Sequence, residues 1–258
     1  MIATIMDGKA IAEKITATVK AEVSKLREKP GLAAVLVGEN PASKVYVDIK
    51  RKTCSEVGIY SELYKLPEQT MEKELLQLIE KLNRNEKIHA ILVQLPLPKH
   101  IDEEKVFTAL ALEKDVDGFK SENVGRLVAG KEAALPCTPK GVIRLLEEYG
   151  IELAGKNAVL IGRSKIVGKP IALMLLNRDA TVTVCHSKTK NLADYTKNAD
   201  ILVVATGNPN LVTAEMVKPG AVVIDVGINK VDGKLIGDVD FAAVKEKASY
   251  ITPVPGGI

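Results

Sequence analysis

Short apolar runs alternate with stretches of helical periodicity along almost the whole chain, and this alternation constrains the fold more than any single motif. Helical patterning covers Lys9–Arg27, Ala42–Val57, Glu72–Asn83, Glu103–Leu112 and Pro139–Tyr149. Between the first of these lie the strand-length runs Leu32–Val37, Glu62–Leu66 and Ala90–Leu95. Strands that alternate with helices build βαβ units, in which helices cover the faces of a parallel sheet. Near residue 140 the pattern restarts. Ala158–Ile161, Thr181–Cys185, Ile201–Ala205 and Val222–Val226 are near-continuous apolar runs, as strands buried on both faces must be. The expected fold class is α/β, with mostly parallel sheet.

The boundary between the two halves is legible. Pro136-Cys137-Thr138-Pro139 interrupts the chain. Thr138 is expected to cap a new helix with Pro139 at its first position, where a missing N–H costs nothing. The sequence therefore divides into two α/β domains, 1–138 and 139–258. With 258 residues the chain has room for two modest domains. A chain of this length buries roughly 70–75% of its unfolded surface, so it needs no disulfide or metal to fold.

Charge and cysteine usage exclude several function classes. The 36 basic and 33 acidic residues leave a net charge of +3, too balanced for nucleic acid or an acidic membrane as main partner. No run approaches the ~18 consecutive apolar residues of a membrane span, and Asp7 and Lys9 interrupt what would be the apolar core of a signal peptide. Cys54, Cys137 and Cys185 are few, odd in number and far apart, which argues against a disulfide framework or a C-x-x-C metal site and for a reducing cytoplasm. Asp225, Asp238 and Asp240 are scattered as turn and cap residues are, and no metal is expected.

In the second half, Ala158–Ile161 runs into Gly162-Arg163-Ser164-Lys165-Ile166-Val167-Gly168-Lys169-Pro170. This reads as strand, glycine turn and helix, a geometry that aims helix N-terminal N–H groups at an anion. It is neither G-x-G-x-x-G nor a Walker loop, and by itself it is equally a plain structural connection. The next strand ends in Cys185-His186-Ser187-Lys188, with no acid where an NAD-binding unit places one for the ribose hydroxyls. A 2′-phosphate meets no repulsion there, and Arg163 and Ser187 can donate to it. This favours NADP over NAD, against the plainer reading of a solvated Arg and a turn Ser. Two further strands end in Ala205-Thr206-Gly207 and Val226-Gly227-Ile228. Ligands of open α/β sheets sit outside strand carboxyl ends, so Thr206, Gly207 and Ile228 are expected to face the cofactor.

In the first half, Tyr46 and Lys50 are four apart on a predicted helix and share a face, with Ser43 one turn earlier. A lysine in a dry setting beside a polar partner can move protons near neutral pH; alone, the pair equally fits an exposed helix face. Gln94 closes an apolar strand and needs a partner or ligand, and Lys50 is a plausible one. Asp115 and Asp117, in Lys114-Asp115-Val116-Asp117-Gly118, fit metal ligands, turn caps or acceptors for a ligand's N–H groups.

Taken in order, these segments resemble one family. They are Gly38-Glu39-Asn40-Pro41-Ala42-Ser43 with Tyr46 and Lys50, Val93-Gln94-Leu95-Pro96-Leu97-Pro98, Asp115-Val116-Asp117-Gly118 and Pro136-Cys137-Thr138-Pro139, followed by the Gly162–Gly168 turn, Cys185-His186-Ser187-Lys188-Thr189, Ala205-Thr206-Gly207, Asp225-Val226-Gly227-Ile228-Asn229 and Thr252-Pro253-Val254-Pro255-Gly256-Gly257. The chain is similar over nearly its whole length to the bifunctional 5,10-methylenetetrahydrofolate dehydrogenase/5,10-methenyltetrahydrofolate cyclohydrolases of the FolD type.

The resemblance implies two α/β domains flanking a cleft, the first binding folate and the second a Rossmann-like NADP-binding domain, with the 139–149 helix bridging them. It implies Lys50 as catalytic lysine of the cyclohydrolase step, Tyr46 stacked on the folate, Gln94 bonded to Lys50, and Asp117 accepting from pterin N–H groups. Gly162, Arg163, Ser164, Ser187 and Ile228 would hold NADP, with Thr206 and Gly207 lining that site. It further implies tetrahydrofolate one-carbon derivatives as substrates, a homodimer, and a place in one-carbon metabolism and purine biosynthesis. Family members continue past Pro-Val-Pro-Gly-Gly into a closing helix expected to pack back toward the first domain; the sequence ends at Ile258.

Overall fold

The computed structural model describes residues 2–258. It contains two compact units: Glu13–Leu135, and the segment ending at Ala12 together with Pro136–Ile258. The chain opens with β1 (Thr4–Ile5) and α1 (Gly8–Lys25).

The unit Glu13–Leu135 contains β2 (Gly31–Val37), α2 (Pro41–Val57), β3 (Tyr60–Leu66), α3 (Glu72–Asn83), β4 (Ala90–Val93), α4 (Glu103–Ala109) and α5 (Ser121–Val128). Its three strands are all parallel, in the order β3-β2-β4, with Leu32 opposite Ala90 and Val35 opposite Val93. β2 is the central strand and is apolar throughout because both of its faces are covered. On α3, Leu75, Ile79 and Leu82 form one buried stripe against Ala33, Val35, Ile91 and Val93, and burying each such large side chain contributes roughly 1.5–3 kcal/mol. α2 starts where Asn40 accepts the Ser43 N–H and Pro41 takes the first turn. It ends at Gly58, whose φ of 83° lets its N–H reach the Cys54 and Ser55 carbonyls.

The other unit contains α6 (Cys137–Glu148), β5 (Asn157–Ile161), α7 (Gly168–Leu176), β6 (Thr181–Cys185), α8 (Leu192–Thr196), β7 (Ile201–Val204), β8 (Val222–Asp225), β9 (Asn229–Val231), β10 (Lys234–Ile236), α9 (Phe241–Lys245) and β11 (Tyr250–Ile251). Six strands form one parallel sheet, ordered β1-β11-β8-β7-β5-β6. β7 and β8 are buried at every position. β9 and β10 form a separate antiparallel hairpin, turning through Asp232 and Gly233, both at positive φ.

Three features differ from the sequence expectation. α6 begins at Cys137 with Pro136 as its N-cap, so Thr138 lies inside the first turn instead of capping it. Pro139 is tolerated there because the first N–H groups of a helix have no intrahelical partner in any case. The division between units falls at Leu135–Pro136, where the sequence reading placed it after Thr138. The N-terminal segment belongs with the later residues: Thr4 and Ile5 pair with Tyr250 and Ile251, and the Tyr149 hydroxyl accepts the Asp7 N–H at 2.7 Å. A two-residue strand carries no periodicity, so only its distant partner reveals it.

Candidate active site

Each unit has one place where the strand order reverses, with Gln94 and its partner Lys50 at one and Gly162 and Thr206 at the other. In the unit Glu13–Leu135 the chain goes from β2 outward to β3, then returns to β4 on the other side. The reversal leaves a crevice at the carboxyl ends of β2 and β4, where ligands of open α/β sheets bind. Gln94 follows β4 directly, its N–H donating to the Val35 carbonyl of β2 at 2.9 Å. Lys50 projects from α2, which follows β2.

Lys50 is half-buried, and its Nζ donates to Gln94 Oε1 at 3.2 Å. The amide of Gln94 is not free to turn. Its Nε2 donates to the Leu95 carbonyl at 2.8 Å, and that carbonyl also accepts from Ser43 Oγ at 3.2 Å. Ser43 is buried and sits on the same α2 face as Lys50. With the nitrogen end committed, the oxygen end must face Lys50. Tyr46, one turn before Lys50, is 47% exposed, so its ring is open to a flat ligand.

Asp115 and Asp117 have different surroundings. Asp115 is buried and accepts from the N–H groups of Phe119 and Lys120 and from Asn123 Nδ2, at 2.8–3.2 Å. It therefore caps α5 from outside the helix, and the turn-cap reading holds for it. Asp117 is half-buried. An open cavity of about 660 Å³ borders Asp115, Val116, Asn123 and Arg126, but includes neither Lys50 nor Gln94.

In the other unit the reversal lies between β5 and β7, since β6 stands on the far side of β5. Gly162 ends β5 with φ of 127°. A Cβ there would fall well inside contact distance of the Ala205 carbonyl oxygen after β7. A Cβ on Gly168, which opens α7, would likewise strike the Gly162 carbonyl. Both glycines are thus required for the turn to close down, leaving a cradle at a helix N-terminus suited to a phosphate. Ser164 Oγ accepts from the Val167 and Gly168 N–H groups at 3.2 and 3.1 Å, and so shapes this turn from within. Arg163 and Ser187 are exposed at the ends of β5 and β6.

Thr206, Gly207 and Ile228 lie beyond β7 and β8, as expected. Asp238, read from the sequence only as a turn or cap residue, holds Thr206 and Gly207 and bonds Asn229 next to Ile228. Asp238 is fully buried; its Oδ2 accepts from the Thr206 N–H, the Thr206 hydroxyl and the Gly207 N–H, and its Oδ1 from Asn229 Nδ2. Asp225 accepts from the N–H groups of Gly227, Asp238 and Val239. Burial pushes its carboxyl up, against the pull of those donors. Asp240 caps α9. The three aspartates are turn and cap residues, as read from their scatter, but no spacing in the sequence announces that Asp238 reaches back to Thr206.

Residues 6–117 match the tetrahydrofolate dehydrogenase/cyclohydrolase catalytic domain, and residues 136–258 match the NAD(P)-binding domain of the same family. The chain belongs to the tetrahydrofolate dehydrogenase/cyclohydrolase family. It is 60% identical over 262 residues to the bifunctional protein FolD of Moorella thermoacetica, covering 100% of this chain and 94% of that protein. Among solved structures, the bifunctional FolD enzyme of Campylobacter jejuni superposes with a TM-score of 0.97 at 52% identity, covering 99% of this chain and 92% of that one. The Trypanosoma brucei enzyme, solved with NADP cofactor and an inhibitor, gives 0.95 at 40% identity, covering 100% and 92%. Family membership spans both units, so the lysine site and the glycine cradle belong to one enzyme.

Proposed function

We propose that this chain is a bifunctional enzyme that oxidises 5,10-methylenetetrahydrofolate to 5,10-methenyltetrahydrofolate with NADP, then hydrolyses the product to 10-formyltetrahydrofolate in one-carbon metabolism. The observation that carries the two-step reading is the Lys50–Gln94 bond, a proton-handling pair that hydride transfer alone does not need. Its presence favours the bifunctional reading over a dehydrogenase without hydrolytic activity. The Gly162–Gly168 turn fits a dinucleotide, because its two glycines let the backbone close tightly at the start of α7, where a phosphate can approach the helix N-terminus. Arg163 and Ser187 would hold the 2′-phosphate, with Thr206, Gly207 and Ile228 along the remainder of the nucleotide.

When bound, the nicotinamide supplies the hydride acceptor. The residues of this chain do the positioning and the proton work. Tyr46 stacks on the pterin and Asp117 accepts from its N–H groups, fixing the one-carbon bridge for apposition of two flat rings. Water then adds to the methenyl carbon and the five-membered ring opens. Both events move protons, and Lys50 Nζ, held at 3.2 Å from Gln94 Oε1, is placed to take and return them.

The enzyme works in the cytoplasm as a homodimer. In support, neither Cys54 nor Cys185 is held in a disulfide. No described helix is long and apolar enough to cross a membrane. Among the described residues, the seven-residue strand β3 pairs with β2 alone, and an unpaired strand edge is a template for a second chain. The test is spectroscopic: protein, methylenetetrahydrofolate and NADP are mixed, and NADPH and the methenyl product are followed. NADPH should appear first and the methenyl signal should then decay. Absence of NADPH overturns the reading; a persistent methenyl signal limits it to the dehydrogenase.

A further inference from the structure

We propose that Asp238 is a positioning residue for the dehydrogenase, one buried carboxyl group that sets the backbone on which the nicotinamide half of the nucleotide lies. The inference rests on the functional reading above and extends it to a residue that touches neither substrate.

The carboxyl group gathers donors from two separate segments. Oδ2 accepts from Thr206 N at 2.6 Å, Thr206 Oγ1 at 2.9 Å and Gly207 N at 2.9 Å, all in the turn after β7. Oδ1 accepts from Asn229 Nδ2 at 2.8 Å, at the start of β9. Between β8 and β9, Gly227 passes so close over the Asp238 carboxyl that a Cβ there would overlap it. Ile228, 53% exposed, is therefore pinned on both flanks by the same side chain.

Asp238 is itself held from behind. Its N–H donates to Asp225 Oδ1 at 3.0 Å and the Val239 N–H to Asp225 Oδ2 at 2.9 Å. Gly237 is required because any side chain would collide with the Asp225 carboxyl. Asp238 has no ion-pair partner among the described residues; its acceptor capacity goes to N–H and O–H groups of the turns. Two buried aspartates thus act in series: Asp225 fixes Asp238, and Asp238 fixes Thr206, Gly207 and Asn229.

The position in the sheet says which end of the nucleotide this serves. The order β8-β7-β5-β6 places Arg163 and Ser187 on the β5–β6 side and the Asp238-held turns on the β7–β8 side. In doubly wound sheets a dinucleotide crosses the switch point, with its two halves on opposite sides. Asp238 therefore governs the hydride-accepting end and leaves the 2′-phosphate end untouched.

The test uses the full chain carrying Asp238→Asn, which keeps the shape but replaces one acceptor oxygen with a donor. Three quantities are measured: steady-state dehydrogenase kinetics with NADP, the same with NAD, and hydrolysis of methenyltetrahydrofolate supplied directly without nucleotide. Misplacing a reacting group by about 1 Å can cost on the order of 100-fold. Dehydrogenase kcat/KM should fall by ~10-fold to ~100-fold. The drop should be equal for NADP and NAD, part of it in kcat, with hydrolysis within ~3-fold of the parent. A loss selective for NADP, equal losses in both activities, or unchanged dehydrogenase kinetics would each overturn the proposal. If Asp238→Asn does not fold, Asn229→Ala decides: a fall of several-fold in kcat/KM for both nucleotides supports the role, and parental kinetics refute it. The parent enzyme, run alongside, tests the functional reading separately, since only its inactivity counts against that reading.

Discussion

Gln94 Oε1 lies 3.2 Å from Lys50 Nζ, although the two residues are 44 positions apart in sequence. The bond joins the end of β4 to the middle of α2, and the Leu95 carbonyl fixes its direction by holding the other end of the Gln94 amide. Proton transfer by a positioned side chain is worth roughly 10²–10⁴-fold. Lys50→Met should lower hydrolysis of methenyltetrahydrofolate by at least ~100-fold while leaving the hydride step within ~10-fold. Gln94→Ala should give an intermediate loss. The check is separate measurement of NADPH formation and methenyl decay; equal loss of both would contradict the division of labour.

Arg163 is exposed beside the cradle, with no acid at the end of β6 to compete for it. A hydrogen bond to a charged group contributes about 1.5–3 kcal/mol. Arg163→Ala should raise the Michaelis constant for NADP by ~10-fold or more while moving that for NAD far less. An unchanged ratio of the two constants would remove Arg163 from the 2′-phosphate site.

Gly162 combines a φ of 127° with direct contact against the Ala205 carbonyl. Backbone strain of this kind costs of order 1–3 kcal/mol for a residue with a side chain. Gly162→Ala should lower the melting temperature and abolish measurable NADP binding by calorimetry. Full retention of nucleotide binding would show that the turn tolerates a Cβ and that phosphate is held elsewhere.

Asp115 satisfies three donors at the start of α5. Removing the shared acceptor leaves those three groups unpaired, and for the buried Lys120 N–H and Asn123 amide this costs about 1–3 kcal/mol each before relaxation or water entry. Asp115→Ala should destabilise the chain by about 2–4 kcal/mol in denaturant unfolding and weaken folate binding through the Val116-Asp117 turn. A stability within experimental error of the parent would mean that α5 contributes nothing to the folded state of this unit.

The bond from Lys218, and then the Asn157 N–H, hold the Asp200 carboxyl below its ordinary value of 3.8. A carboxyl group with a lowered folded-state pKa adds stability that is fully present above 3.8 and is lost as pH falls through the lower folded value. Asp200→Asn should therefore melt below the parent near neutral pH. The gap between the two should narrow in scans below about pH 4. A gap independent of pH would show that the ion pair contributes nothing.

Helices α2 and α3 and strand β6 are readable directly, because the pattern of apolar residues within one element depends only on its own neighbours. The glycine turn after β5 and the Tyr46–Lys50 face are readable for the same reason: spacing of a few residues in a helix or turn is local geometry. The β9–β10 hairpin was also within reach, since Asp232-Gly233 is a strong two-residue turn signal, yet the flanking strands are too short to show alternation. β1 was not within reach, because its pairing with β11 joins the two ends of the chain.

Periodicity and turn chemistry in the chain therefore establish an α/β protein with two successive sheets, and the collinear motifs place it among folate dehydrogenase/cyclohydrolases. Which side chains meet was decided only on folding. Asp225 and Asp238 look in sequence like ordinary turn aspartates, and become a buried relay once two loops are folded over them. The Leu95 carbonyl aims Gln94 at Lys50 only after β4 is laid beside β2. Elements arise from neighbours along the backbone, whereas strand order brings together residues that no pattern along the chain relates.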